Sequence, residues 1–268
     1  MRRHPSPSAF FGATPVFGRA EFAQAVRRHP SDRAITELLK YHLSAGNIRR
    51  IARGVFASVP KGALAVTGNV DRFLAASRLR IGAVIAYRSA LELHGYAQTG
   101  TNEVQLIARG EPGLITTSAF ACRFVTPPRH HSPTEGMTTV DRQGVAITAT
   151  TLERTLVDVF DRYDLAGGAE HLFRSLDLVA EREDPLDLDA LVEFASRCGN
   201  ATAAAALGFW LDRERPRLGV PDAVIENLRS LAPRHTRYAL GATPGQGRAA
   251  TGWHVILPAD IVARYFDN

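Results

Sequence analysis

A chain of 268 residues with 45% apolar and 22% charged residues has the composition of a folded globular protein, which excludes a disordered one. No apolar run reaches the roughly 18 residues of a membrane span, and the cationic start MRRHPSPS has no apolar segment behind it, so neither a membrane helix nor a signal peptide is expected. The formal charge of +5 is held unevenly: residues 1–88 carry 15 Lys+Arg against 4 Asp+Glu, a formal +11, and the remainder a formal −6. That asymmetry points to nucleic acid as the partner of the front end.

Residues 1–18 hold Pro5, Pro7, Pro15, Gly12 and Gly18 with little periodicity and read as a loose arm, whose Arg2, Arg3 and His4 could trail onto phosphates. Residues 19–28 put Phe22, Ala25 and Val26 on one helical face, and Pro30 ends that helix. Ser31 or Asp32 caps the next helix. Its buried stripe is Ile35, Leu38, Leu39 and Leu43, and Arg33, Thr36, Glu37, Lys40 and Tyr41 form a polar, cationic outer face. Gly46 suits the position that stops a helix. Directly behind it, residues 48–60 (IRRIARGVFASVP) read as two short strands turning at Arg53 and Gly54, with Ile48, Ile51, Val55 and Phe56 as apolar partners.

A helix followed at once by a basic hairpin is the arrangement of a winged helix-turn-helix, helix in the major groove and wing on the backbone. An ordinary helix and hairpin with solvated arginines gives the same pattern, but here the cations cluster where the DNA-binding geometry needs them. The expected DNA contacts are Arg33, Thr36, Lys40 and Tyr41 near the groove, and Arg49, Arg50 and Arg53 on the backbone or in the minor groove.

After a Gly-rich linker at 62–69, residues 71–79 and 86–95 read as helices, the second stopped by Gly95 with His94 placed to meet free carbonyls. Residues 104–108 and 121–127 read as strands, and 137–141 with 145–148 as a hairpin. Thr150 opens a capping box with Glu153, starting a helix with Leu152, Leu156, Val157 and Phe160 inward. On that helix Arg154, Asp158, Asp161 and Arg162 read as surface ion pairs. Helices are expected over 170–180, 187–198, 201–213 and from Pro221 to Ala232, and a last hairpin pairs 235–240 with 253–257. The expected fold class is therefore α+β: a flexible arm at 1–18, a winged helix-turn-helix at 19–62, and a mixed α/β body at 70–268 with a helix-rich last third.

Three blocks resemble AbiEi-type antitoxins. The first is the segment SAGNIRRIARGVFASVP, which fits the wing form G-x-[IL]-x-R-[IVL]-x-R-G-[VL]-[FY] through Gly46, Ile48, Arg50, Ile51, Arg53, Gly54, Val55 and Phe56. The second is ALELHGY at 90–96 with the strand VQLIA at 104–108, and the third is VAITATTLERTLVD at 145–158. The blocks follow the family's order from about residue 19 to 160, and beyond 165 nothing matches by motif. The resemblance implies the antitoxin of an AbiE-like type IV toxin–antitoxin pair. Such an antitoxin binds inverted repeats of double-stranded DNA in its own promoter and counters a nucleotidyltransferase-fold toxin, generally without a stable complex. A stand-alone winged-helix regulator, or a basic face that grips an acidic protein or RNA, remain the alternatives.

Signatures of catalysis are scarce. The loop 241–252 (GATPGQGRAATG) lacks G-x-x-x-x-G-K-[ST] and reads as a flexible hairpin loop. Lys40 and Lys61 are the only lysines, so no E-x-K or D-x-K nuclease site can follow residue 61. Asp187 and Asp189 form a D-x-D pair without an upstream Gly-Ser, which leaves Asp187 as a helix cap and argues against a nucleotidyltransferase in this chain. Adjacent His130 and His131 diverge and lack a third ligand at metal spacing. No catalytic residue, cofactor or metal is expected, nor any membrane partner. Cys122 and Cys198, without paired spacing, fit a reducing cytoplasm.

Overall fold

The computed structural model describes residues 7–60, 70–97, 101–126, 135–182 and 185–266. Arg2, Arg3 and His4, the linker at 62–69 and the pair His130 and His131 lie outside them. The chain is mixed α and β, with helices and several sheets. It divides into two compact units. Unit 1 takes residues 1–85, 101–126 and 139–148, and unit 2 takes 86–100, 127–138 and 149–268.

Unit 1 begins with α1 (Pro7–Ala13) and β1 (Val16–Gly18), where the sequence suggests a loose arm. The correction has a physical cause. Phe10 and Phe11 pack on a core that contains Phe17, Phe22, Ile35, Leu39, Ile48 and Phe56, and Val16 and Phe17 are buried outright. Such burial repays the ordering of a proline-containing segment. Next come α2 (Arg19–Ala25), α3 (Arg33–Ser44), β2 (Ile48–Ala52) and β3 (Val55–Ser58), the last two joined by Arg53 and Gly54. β3 is the middle strand of a sheet ordered β1-β3-β2, antiparallel throughout. The Asp32 carboxylate accepts from the Ala34 N–H and caps α3, while Gly46, at φ +70°, ends it.

α4 (Arg72–Ser77), capped by Asp71, packs on a six-stranded sheet ordered β6-β7-β5-β4-β9-β8. The strands are β4 (Val84–Ile85), β5 (Glu103–Ile107), β6 (Gly113–Thr116), β7 (Ala121–Val125), β8 (Met137–Arg142) and β9 (Val145–Thr150). β5 and β7 run parallel, with β6 antiparallel to β7. Val104, Leu106, Cys122 and Phe124 alternate onto the buried face. Short β4 and fully exposed β6 are additions to the expected strands; β6 escapes notice because Gly113–Thr116 buries nothing.

Unit 2 is built from α5 (Tyr87–Leu93), α6 (Leu152–Asp161), α7 (Ala169–Ala180), α8 (Leu188–Cys198), α9 (Ala201–Arg213), α10 (Arg215–Leu218) and α11 (Asp222–Leu231). A small sheet of β10 (Arg237–Tyr238), β11 (Gly247–Ala250) and β12 (Val255–Pro258) follows, then α12 (Ala259–Phe266). Helix α9 is buried from Ala203 to Leu211, at the centre of this unit, with α6, α8 and α11 around it. A Cβ on Gly208 would come within 2.1 Å of the Trp253 ring, so glycine is what lets that indole lie against the helix.

Three expectations for unit 2 need correction. Thr151, not Thr150, caps α6 by accepting from the Arg154 N–H, and Thr150 is buried with its hydroxyl 2.6 Å from that of Thr155. The last two strands form no simple hairpin: β10 pairs β12 in parallel, and β11, from the expected loop, pairs β12 antiparallel. Third, Arg154 and Asp158 are not surface residues. They are 1% and 2% exposed and meet at 3.4 Å, and Arg154 Nη1 donates to the Glu135 carbonyl. Their i,i+4 spacing is the same whichever way the helix faces.

Candidate nucleic-acid interface

The seven residues singled out in the sequence all belong to unit 1, on α3 and on the β2–β3 hairpin. With Ile35, Leu39 and His42 buried at i, i+4 and i+7, the opposite face of α3 turns outward. It presents Arg33, Lys40 and Tyr41, the last 65% exposed. Lys40 Nζ donates to Glu37 at 3.1 Å across open solvent, a contact worth little and easily exchanged for a phosphate.

Thr36 is different. Its hydroxyl is half-buried and accepts from Arg19 Nη2 at 2.9 Å. An oxygen that accepts there keeps its own proton to donate, so Thr36 is set up as a hydrogen-bond donor.

On the hairpin, β2 carries a register shift between Arg50 and Ala52. A regular strand would put Ile48 and Arg50 on one face; the bulge lets Ile48 and Ile51, three apart, both enter the core. Arg50 is exposed, with its guanidinium 5.7 Å from the centre of the Phe56 ring, within cation–π range. Arg53 is exposed at the turn, where Gly54 at φ +79° takes the left-handed position. Arg49 is half-buried and engaged within the fold, which makes it the least available of the three.

Arg19 is the residue that sequence reasoning misses. Its backbone N–H donates to the Gly54 carbonyl in the hairpin turn, at 3.0 Å. Its side chain donates through Nε to the Pro30 carbonyl at 2.6 Å, and through Nη2 to the Asp32 carbonyl and Thr36. One residue thus fastens the hairpin turn and the start of α3 to the first turn of α2. The signal available in sequence is an arginine directly after Gly18, which helix periodicity does not single out.

His42 closes the other end of α3. Its ring stands edge-on to Phe11 at 4.8 Å, and Nδ1 lies 3.1 Å from Asn47 Nδ2, so Asn47 donates to it. Burial pulls its pKa below the ordinary 6.5. Nearby, Arg28 pairs with Asp32 at 3.0 Å; the Ala34 N–H and that guanidinium hold the Asp32 carboxyl below its usual range.

Elsewhere the titratable groups serve packing. His94 Nε2 donates to the Thr150 carbonyl at 2.7 Å, a structural bond to another segment rather than to its own helix end. Burial raises Asp158 to about 7 against the opposing pull of Arg154, and raises Asp177 to about 6. Cys122 and Cys198 are free thiols pushed up by burial, to about 12 and about 11. Among the described residues no group of three His, Cys, Asp or Glu side chains could hold a metal ion, and no helix is long and apolar enough to cross a membrane. No protein-family model matches the chain, and no curated protein matches it either.

Proposed function

We propose that residues 19–62 act as a winged helix-turn-helix on double-stranded DNA and that the chain is the antitoxin of an AbiE-like type IV pair, repressing its own promoter. What supports the DNA reading is the division of labour in unit 1. The apolar sides of α3 and of the hairpin converge on one aromatic core, and Arg33, Lys40, Tyr41, Arg50 and Arg53 stand outside it. Arg33, Lys40 and Tyr41 approach base edges, with Thr36 donating to an acceptor such as guanine O6 or N7. Arg50 and Arg53 neutralise backbone phosphates.

The antitoxin half of the reading rests on the three sequence blocks, with neutralisation of a nucleotidyltransferase-fold toxin assigned to the body. Footprinting on the DNA upstream of the gene tests the first half: wild type protects an inverted repeat, and Arg50→Ala with Arg53→Ala does not, although both fold alike. Protection by the double variant at unchanged affinity refutes it. Co-expression with a neighbouring nucleotidyltransferase gene tests the second half, with restored growth expected and continued toxicity contradicting it.

A further inference from the structure

Strand β6 ends the six-stranded sheet of unit 1, and its whole length, Gly113–Thr116, is exposed. Its register with β7 is unbroken, Leu114 opposite Arg123 and Ile115 opposite Cys122. Cys122 and its β5 neighbour Val104 are fully buried, so Ile115 stands on the core face of the sheet. It is nevertheless 36% exposed, because among the described residues no strand follows on its far side. Leu114, on the opposite face beside Arg123, is 52% exposed. The backbone is open too. Thr117 N–H donates to the Phe120 carbonyl at 2.9 Å, so in the antiparallel alternation Ile115 and Gly113 are the residues bonded to β7. Ala121, opposite Thr116, donates instead to the Asn102 carbonyl at 2.8 Å. Leu114 and Thr116 therefore direct both N–H and C=O away from the sheet. Edge strands are ordinarily guarded by a lysine, a proline within the strand or a bulge. Strand β6 has none of these, and no charged residue occurs between Glu111 and Arg123.

We infer that β6 pairs antiparallel with β6 of a second copy of this chain, about a two-fold axis at Ile115. The pattern of the edge selects this occupant. With Ile115 on the axis, each Leu114 lies opposite the partner's Thr116, and every outward N–H and C=O of both strands is used. An axis at Leu114 would set Thr116 opposite Pro112, which has no N–H, and an axis at Thr116 would set Leu114 opposite Ser118, beyond the end of the strand. The two Ile115 side chains meet in a non-hydrogen-bonded pair, where cross-strand neighbours lie closest. Glu111 falls opposite the uncharged Ala119, so no like charges oppose the pairing. The contact is at the small end of specific interfaces, below about 1,200 Å², so the dimer exchanges with monomer. It does not depend on the DNA reading, but a two-fold axis through unit 1 relates two copies of α3 as an inverted repeat relates its half-sites.

The test is sedimentation velocity of the full chain without DNA, at a salt concentration that screens its net positive charge. The wild-type sedimentation coefficient rises toward that of a dimer as the protein goes from micromolar to near-millimolar concentration. Thr116→Pro removes one outward N–H from each copy and leaves the bonds to β7 in place, a position where an edge strand tolerates proline. It weakens dimerisation at least about 10-fold, with an unchanged circular dichroism spectrum. Ile115→Glu and Ile115→Lys each weaken it by setting like charges opposite one another at the axis, and an equimolar mixture of the two dimerises more tightly than either alone. A wild type that stays monomeric throughout overturns the inference. So does a folded Thr116→Pro that dimerises like wild type, or a mixture that associates no more tightly than its components.

Discussion

Arg50 and Arg53 in unit 1 stand outside a core made of phenylalanines, whereas in unit 2 Arg154 lies inside the core beside Asp158. The residue type is the same, but its desolvation differs entirely. An exposed guanidinium keeps its hydration and can exchange water for phosphate, so it is available to a ligand. A buried one is committed, because removing its partner or its hydrogen bond leaves a charge with no solvent to receive it. At these positions unit 1 keeps stability and charge apart, and unit 2 combines them. Substituting Arg50 or Arg53 should damage binding, and substituting Arg154 should damage folding.

The largest effect is expected at the buried pair. Arg154→Ala should cost about 3–5 kcal/mol at pH 8, the range for breaking a buried pair. A cost below about 1 kcal/mol, that of a surface pair, would place these side chains in solvent after all; urea unfolding measures it. The cost should shrink at pH 5, where Asp158, raised to about 7, already carries a proton.

Next comes Gly208→Ala, which improves helix propensity yet drives a methyl into Trp253. A loss of about 1–3 kcal/mol is expected in thermal or urea melts, and a gain would show that the indole can move aside.

Arg19→Met should leave the cations of α3 and the hairpin in place but loosen what fastens them. Discrimination between own and scrambled DNA should then fall by about 10-fold, on the scale of one charge-assisted hydrogen bond, with the salt slope unchanged. A changed slope with intact discrimination would make Arg19 a phosphate ligand instead.

The two units should also differ in the sign of their pH dependence. His42 has a folded pKa below 6.5, so the stability it contributes is fully present above 6.5 and is lost as pH falls through the folded value. Asp158 has a folded pKa above its ordinary 3.8, so its effect runs the other way: stability declines as pH rises from 3.8 to about 7 and levels off above. Unfolding of His42→Phe and Asp158→Asn across this range, each compared with wild type, should give opposite slopes. Slopes of the same sign would contradict one of the two burials.

Elements with strong local signals are legible in the sequence. The stripe of Ile35 and Leu39, the Asp32 cap and Gly46 define α3, and α7, α8, α9 and α11 follow from their periods and caps, whereas the short α10 does not. What escapes depends on tertiary partners. Phe10 and Phe11 become ordered only because a core exists elsewhere to receive them, and β10 pairs with β12 in parallel across a segment that reads as a structureless loop. The candidate interface is legible as a set of cations but not as a set of roles. Sequence spacing does not show that Thr36 is held by Arg19, that Arg49 is engaged within the fold, or that a bulge sets where Arg50 goes.

The most direct measurement is the affinity of the purified protein for its own upstream DNA and for scrambled DNA, at two salt concentrations. A DNA-binding unit 1 predicts preference for the protein's own DNA and a steep loss of affinity with salt. Arg50→Ala with Arg53→Ala should lower the slope by roughly 2, one for each phosphate that is no longer neutralised. Equal affinity for both DNAs, or a slope indifferent to those two arginines, would contradict it.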